Sequence, residues 1–395
     1  MTRLPPFRPA ALAASATLAA LAFAAAPVLA QNAPPVKVGF MLPATGTFAA
    51  LGDMIEKGFR MYVQEQGGKL GGREIQYFRV DDESDPSKAT DNVNRLIKRD
   101  QVDIVVGTVH SGVALAMARA ARESNTILIV PNAGADAITG PLCAPNIVRS
   151  SFSNWQPGYA AGVMATQKGY KRAVSIYWNY AAGQESGKGF AEAFTKGGGQ
   201  VLKELALPFP NVEFQALLTE IAALKPDVVF AFFAGAGAAK FVKDYDAAGL
   251  KRTIPLIGSG FLTDGVLEAQ GDSAQGLMTA LHYADGINTP RNNQFRTRFA
   301  VQHKLNPDVY AVQGYDAAQI LAAGLNAVKG DLKQRDAMLA AMRKTPIDSP
   351  RGRYTLAAAG NPIQDFYIRE AKGRENVMTG ISVKVLADPA RGCKM

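Results

Sequence analysis

Short apolar runs alternate with amphipathic stretches along most of the chain, and one such unit occurs twice. Asp103-Ile104-Val105-Val106-Gly107 opens the first copy and Asp227-Val228-Val229-Phe230-Ala231 the second. Each run leads into a turn of small residues, an Ala-rich segment with helical spacing, and a second run. That second run is Thr126-Ile127-Leu128-Ile129-Val130-Pro131 in one copy and Thr253-Ile254-Pro255-Leu256-Ile257-Gly258 in the other. Continuous apolar runs bounded by turn residues are strands buried on both faces, and the 3.6-residue pattern between them is a crossover helix. The repeat predicts two similar lobes with a cleft between matching strand ends.

The rest of the pattern extends this reading. Val36-Lys37-Val38-Gly39-Phe40-Met41 predicts a strand, 48–66 a helix stopped by Gly67-Gly68, 74–81 a strand and 86–99 a helix. The order restarts with a helix over 160–168, a strand over 173–177, a helix over 183–196, a strand over 201–206 and a helix over 212–224. After a strand over 276–283 come three helices, 292–303, 309–328 and 333–342. The alternating segments 364–369 and 381–385 predict an antiparallel hairpin. The expected fold class is α/β, with two Rossmann-like lobes of parallel sheet covered by helices and joined by a multi-strand hinge. Lobe 1 is expected over 36–151 and 282–355, and lobe 2 over 152–281 and 356–390.

Residues 1–30 stand apart. Arg3 and Arg8 precede an uncharged Ala/Leu-rich run, and Val28-Leu29-Ala30 precedes Gln31. This predicts a secretory signal peptide cleaved after Ala30. Without Arg3 and Arg8, the 43 basic residues fall to 41 against 34 acidic ones. The excess is scattered and not interleaved with aromatics, which argues against a nucleic-acid partner. Cys143 and Cys393 are the two cysteines. In an oxidising compartment an even count invites a disulfide, with two free thiols as the alternative.

Enzymatic signals are weak. His110, His282 and His303 sit in no metal-binding spacing, so neither a metal nor a cofactor is expected. The Gly183–Gly189 stretch has the wrong spacing for a phosphate loop, and Ile257-Gly258-Ser259-Gly260-Phe261 is no nucleophile elbow. No catalytic residue is assigned. Binding signals are better, because ligands of open parallel sheets sit outside the carboxyl ends of strands. The loops 45–51, 108–112 and 131–136 would face 178–184, 232–237 and 258–264. From the first set Thr47, Phe48, Leu51, His110, Ser111, Asn132, Ala133 and Gly134 are candidate ligand contacts. From the second set they are Trp178, Tyr180, Gln184, Phe233, Ala234, Gly260 and Phe261.

The order of Val36-Lys37-Val38-Gly39-Phe40, Val105-Val106-Gly107, Ser111, Val130-Pro131-Asn132-Ala133-Gly134 and Tyr315-Asp316-Ala317 resembles the substrate-binding proteins of ABC importers in the branched-chain amino acid class. The resemblance implies a type 1 periplasmic binding fold, a small-molecule carboxylate ligand, a permease partner in the inner membrane, a monomer and a periplasmic location. It implies that Ser111 and the backbone of Asn132, Ala133 and Gly134 hold the ligand carboxylate. Gly134 stands where amino-acid binders carry Thr, and Gly260 where they carry an acid for the ligand ammonium. A buried ammonium without a carboxylate is costly, so an α-amino acid fits poorly unless Asp264 or Asp136 substitutes. Pro131-Asn132-Ala133-Gly134 and Trp155-Gln156 resemble the members that import aromatic acids, and with such a ligand His110 or Gln184 of this chain would meet a ring hydroxyl. The expectation is capture of a benzoate- or hydroxycinnamate-type acid by hinge closure. A branched-chain amino acid receptor, a ligand sensor and an exported hydrolase are the alternatives.

Overall fold

The computed structural model describes residues 33–395, so the expected leader over 1–30 lies outside the described residues. The first sheet contains β1 (Val36–Leu42), β2 (Lys69–Leu70), β3 (Arg73–Asp81), β4 (Ile104–Gly107), β5 (Ile127–Val130) and β6 (Ile147–Arg149). Their order is β2-β3-β1-β4-β5-β6, parallel except where the short β2 pairs antiparallel with β3. The second sheet contains β7 (Arg172–Trp178), β8 (Gln200–Leu207), β9 (Val228–Phe232), β10 (Leu256–Ser259), β11 (Met278–Leu281), β12 (Thr355–Leu356), β13 (Pro362–Lys372) and β14 (Glu375–Leu386). Strands β8-β7-β9-β10-β11 run parallel, and β13 continues the sheet antiparallel with β12 and β14 beside it.

The two parallel cores share one topology. In each, the first strand lies between the second and the third, so the chain winds outward in both directions from that point. Such switch points open crevices at the carboxyl ends of the strands. Core strands such as β4, β5 and β9 are buried at every position, as their unbroken apolar runs require.

The helices are α1 (Ala49–Glu65), α2 (Ala89–Asn94), α3 (Ser111–Ser124), α4 (Trp155–Gln167), α5 (Ala181–Lys196), α6 (Gln215–Leu224), α7 (Gly235–Ala247), α8 (Leu267–Gln270), α9 (Pro290–His303), α10 (Val309–Ala327) and α11 (Arg335–Lys344). Several starts carry side-chain caps. Asp308 Oδ1 accepts from Ala311 N at 3.0 Å to begin α10, and Thr289 Oγ1 accepts from Asn292 N at 3.1 Å to begin α9. Helix α10 packs against α1 so closely that a Cβ on Gly58 or Gly314 would strike the facing carbonyl of Ala311 or Ile55.

The chain passes between the sheets after β6, after β11 and again between α11 and β13. Buried arginines knit these passages. Arg149 Nε donates to Asn361 Oδ1 at 2.7 Å, and Arg351 Nε lies 3.2 Å from Asp316 Oδ2. Beyond β14 the tail reaches back to the loop after β5, where Cys393 is disulfide-bonded to Cys143 with Cα atoms 5.6 Å apart. Two sequence expectations change. Strands β2, β6 and β12 were not anticipated, and the helix expected over 86–99 is a 3₁₀ turn, the short α2 and a π turn over Arg95–Arg99.

Candidate functional site

The carboxyl ends of the two sheets face each other across a nearly closed cavity with about 20 Å³ of free space. This is far below the ~300–1,000 Å³ usual for ligand pockets, so a ring could enter only if the walls move apart. Among the sequence-predicted residues, Phe48, Ser111, Asn132, Gly134, Tyr180, Ala234 and Phe261 line it. Val109, Phe152, Asn154, Ala182, Phe232 and Tyr310 complete the wall. The aromatic wall is continuous. Phe152 lies 4.8 Å from Phe261, which lies 6.4 Å from Phe232 and 6.0 Å from Tyr310, centroid to centroid. Tyr310 carries a buried hydroxyl with no protein partner.

The polar corner belongs to Ser111, Asn132 and Asn154. Ser111 is the first residue of α3, and the preceding His110 caps that helix by accepting from Gly112 N at 3.0 Å. Asn154 Nδ2 donates to Ser111 Oγ at 3.2 Å and to Glu185 Oε2 at 2.7 Å. Glu185 comes from α5 of the second lobe and also accepts from Asp136 N at 3.0 Å. Burial, and then the nearby Glu185, push Asp136 up to about 7. Burial raises Glu185 as well, against the hydrogen bond from Asn154.

Other expected contacts lie outside the wall, each for a visible reason. Trp178 is not a loop residue but the last residue of β7. It is fully buried, its Nε1 donates to Asn211 O at 2.7 Å, and its ring packs edge-on against Phe233 and Phe209. Phe233 points into the same cluster with Phe214 and Phe241. His110 stacks on Tyr180 with centroids 4.6 Å apart, and burial holds it down at about 4, so the neutral ring supports the wall from behind. Ala133 is tied to Thr108 O through its N–H at 2.9 Å. Leu51 faces an outer groove with Asp264 and Asp308. Gln184 is exposed and bonded to Asn179, and Thr47 is half-exposed, with its carbonyl against Gly235 of the second lobe.

Two glycines have their side-chain space filled by other residues. A Cβ on Gly134 would run into the amide of Asn154, and one on Gly260 into the guanidinium of Arg369. Arg369 comes from β13, is fully buried, donates to Gly260 O at 3.1 Å and pairs with Asp264 Oδ2 at 2.7 Å. Asp264 is therefore already neutralised by an arginine. Nothing in the sequence signals either Asn154 or Arg369, because each acts through volume that a distant glycine leaves open. Among the described residues no cluster of His, Cys, Asp or Glu could hold a metal ion, and no helix is long and apolar enough to cross a membrane.

Residues 35–376 match the family model described as periplasmic binding protein. The chain belongs to this family. Its members are solute-binding proteins of transporters. A solute-binding protein of an ABC transporter from R. palustris, solved in complex with benzoate, is 51% identical, with a TM-score of 0.89 over 91% of this chain and 100% of that one. A second, from Rhodopseudomonas palustris BisB5 in complex with 3,4-dihydroxybenzoic acid, is 29% identical, with a TM-score of 0.84 over 90% of this chain and 99% of that one. The Leu/Ile/Val-binding protein homolog 6 of Brucella melitensis is 29% identical over 89% of this chain and 92% of its own length. The family fold is the type 1 periplasmic binding fold, and its members are receptors for small solutes that work with membrane permeases.

Proposed function

We propose that this periplasmic binding protein captures an aromatic carboxylate of the benzoate or hydroxycinnamate type. In this reading the leader over 1–30 exports the chain. The lobes close on the ligand as a monomer and present it to an inner-membrane permease. The carboxylate meets Ser111 and the backbone at Asn132 and Gly134, while the ring lies among Phe152, Phe232, Phe261 and Tyr180. Offset or edge contacts with those rings are worth ~0.5–1.5 kcal/mol each beyond burial.

One observation carries the choice of ligand. The side-chain space at Gly260 is filled by the buried Arg369 guanidinium, already paired with Asp264. A ligand ammonium placed there would meet a guanidinium whose carboxylate partner is already engaged, a desolvated repulsion. The two solved relatives with benzoate and dihydroxybenzoate support the same reading.

A second reading, a branched-chain amino acid, has its own support. Glu185 stands beside Asn154 and Ser111 and could offer a carboxylate to an ammonium at the other end of the cavity, and the curated relative bears a Leu/Ile/Val-binding name. Calorimetry with benzoate, 4-hydroxybenzoate, p-coumarate and leucine separates the two. Binding of the aromatic acids without leucine is expected; binding of leucine alone would end the aromatic reading.

A further inference from the structure

Asn132 is the cavity residue whose side chain leads away from the cavity. Its Nδ2 donates to Gln313 Oε1 at 2.7 Å, and Gln313 Nε2 lies 3.3 Å from His282 Nε2. All three side chains are at least 95% buried. Gln313 sits on α10, and His282 directly follows β11, in the passage between the lobes. Neither lines the cavity.

The donors and acceptors in this row are interlocked. With Asn132 Nδ2 donating, Gln313 must present Oε1 to it and Nε2 to the histidine. His282 Nε2 then accepts, so the ring proton is on Nδ1. In this direction Asn132 keeps its Oδ1 for the cavity. Rotating both amides by half a turn reverses every bond. His282 then carries its proton on Nε2, and Asn132 turns Nδ2 toward the cavity. An amide N–H is complementary to a carboxylate and an amide oxygen is not, so the two directions suit ligands of different charge.

Two features of His282 allow the reversal. Its Nδ1 has no protein partner, so nothing on that side pins the tautomer. Burial, with Arg351 and Arg369 nearby, holds the ring well below the usual imidazole range, so it stays neutral in either state. The imidazole also borders a pocket formed with Arg351, Tyr354, Gln364 and Tyr367, through which protons can exchange with solvent. The change of tautomer takes up no net proton: one leaves Nδ1 and one arrives at Nε2.

We propose that Asn132, Gln313 and His282 form a reversible hydrogen-bond relay whose direction is set by the charge of the occupant, which makes Gln313 and His282 positioning residues that favour an anion over its neutral amide. The inference rests on the carboxylate reading of the cavity and names how that site recognises charge.

The test uses the full mature chain labelled with ¹⁵N-histidine, with benzoate and benzamide as probes, and calorimetry run in parallel. Three histidines make the spectrum simple to assign. With benzoate bound, the His282 proton is expected on Nε2; in the free protein or with benzamide it is expected on Nδ1. Gln313→Met keeps the bulk but removes both bonds. It is expected to weaken benzoate roughly tenfold while leaving benzamide unchanged. Heat from benzoate with an unchanged His282 tautomer would overturn the relay alone. An equal loss for both probes in Gln313→Met would reduce Gln313 to packing and overturn it too. No heat from benzoate would overturn the carboxylate reading, and the relay with it.

Discussion

Asn154 Nδ2 and Glu185 Oε2 lie 2.7 Å apart, joining the segment between the lobes to α5 of the second lobe. The same acid oxygen receives the Asp136 N–H of the first lobe. Glu185 therefore ties the two sides of the cavity together beside Ser111, and it does so next to a second buried carboxylate.

If the lobes close over the ligand as proposed, that neighbour is expected to make affinity depend on pH. Asp136 is pushed up to about 7 by burial and then by Glu185, and Glu185 is itself raised by burial. When the lobes part, water returns and both acids fall toward the ordinary range near ~4. A raised carboxyl stabilises the closed form below its ordinary value, and that advantage is lost as pH rises through about 7. Affinity for benzoate is therefore expected to be flat above pH 7 and to tighten by up to about tenfold per unit between pH 7 and 5. Glu185→Gln, which can still accept both N–H bonds, leaves Asp136 buried and is expected to move the onset of tightening to below pH 7. Calorimetry across pH 5 to 8 checks both, and an unchanged onset in the variant would remove the acid pair as the cause.

Ser111 is placed to accept or donate at the polar corner. Hydrogen bonds to charged groups are worth ~1.5–3 kcal/mol, so Ser111→Ala is expected to weaken an aromatic carboxylate by about ten- to a hundredfold. The thermal midpoint of the free protein should hardly move. An unchanged dissociation constant would take Ser111 out of the ligand contacts.

Gly260 is constrained by its neighbours. Gly260→Ala would press a methyl group into Arg369 and Leu281. Overpacking of this kind costs ~1–3 kcal/mol, and a drop of several degrees in Tm by calorimetric scanning is expected, without any gain of leucine binding. A variant as stable as the parent would show that Arg369 can move aside.

The disulfide closes a loop of 250 residues. On the chain-entropy account such a loop is worth about 5 kcal/mol. The double variant Cys143→Ser, Cys393→Ser is expected to unfold at a lower temperature and lower denaturant concentration. Equal denaturation midpoints would show that the tail's other contacts suffice.

The repeated strand-helix unit was legible because unbroken apolar runs and 3.6-residue spacing are local signals, and they placed the six loops around the cavity. Strands β2, β6 and β12 have only two or three residues each, too few to show any period. Trp178 and Phe233 were expected as loop aromatics because they sit where the apolar runs end, at the carboxyl ends of strands. Their rings turn inward because Phe209, Phe214 and Phe241 provide a packed partner surface, a tertiary fact with no local trace. Gly134 and Gly260 were legible as departures from amino-acid binders. What fills their space was not, since Asn154 and Arg369 lie on separate segments and only the fold brings them there.

The tail after β14 carries a mechanical consequence. Leu386 ends the second sheet, and Cys393 is bonded to the first-lobe loop at Cys143. Seven residues drawn fully straight reach about 25 Å. If the two sheets part as proposed, this short strap limits how far they separate, and reducing the disulfide is expected to widen the range of unliganded shapes.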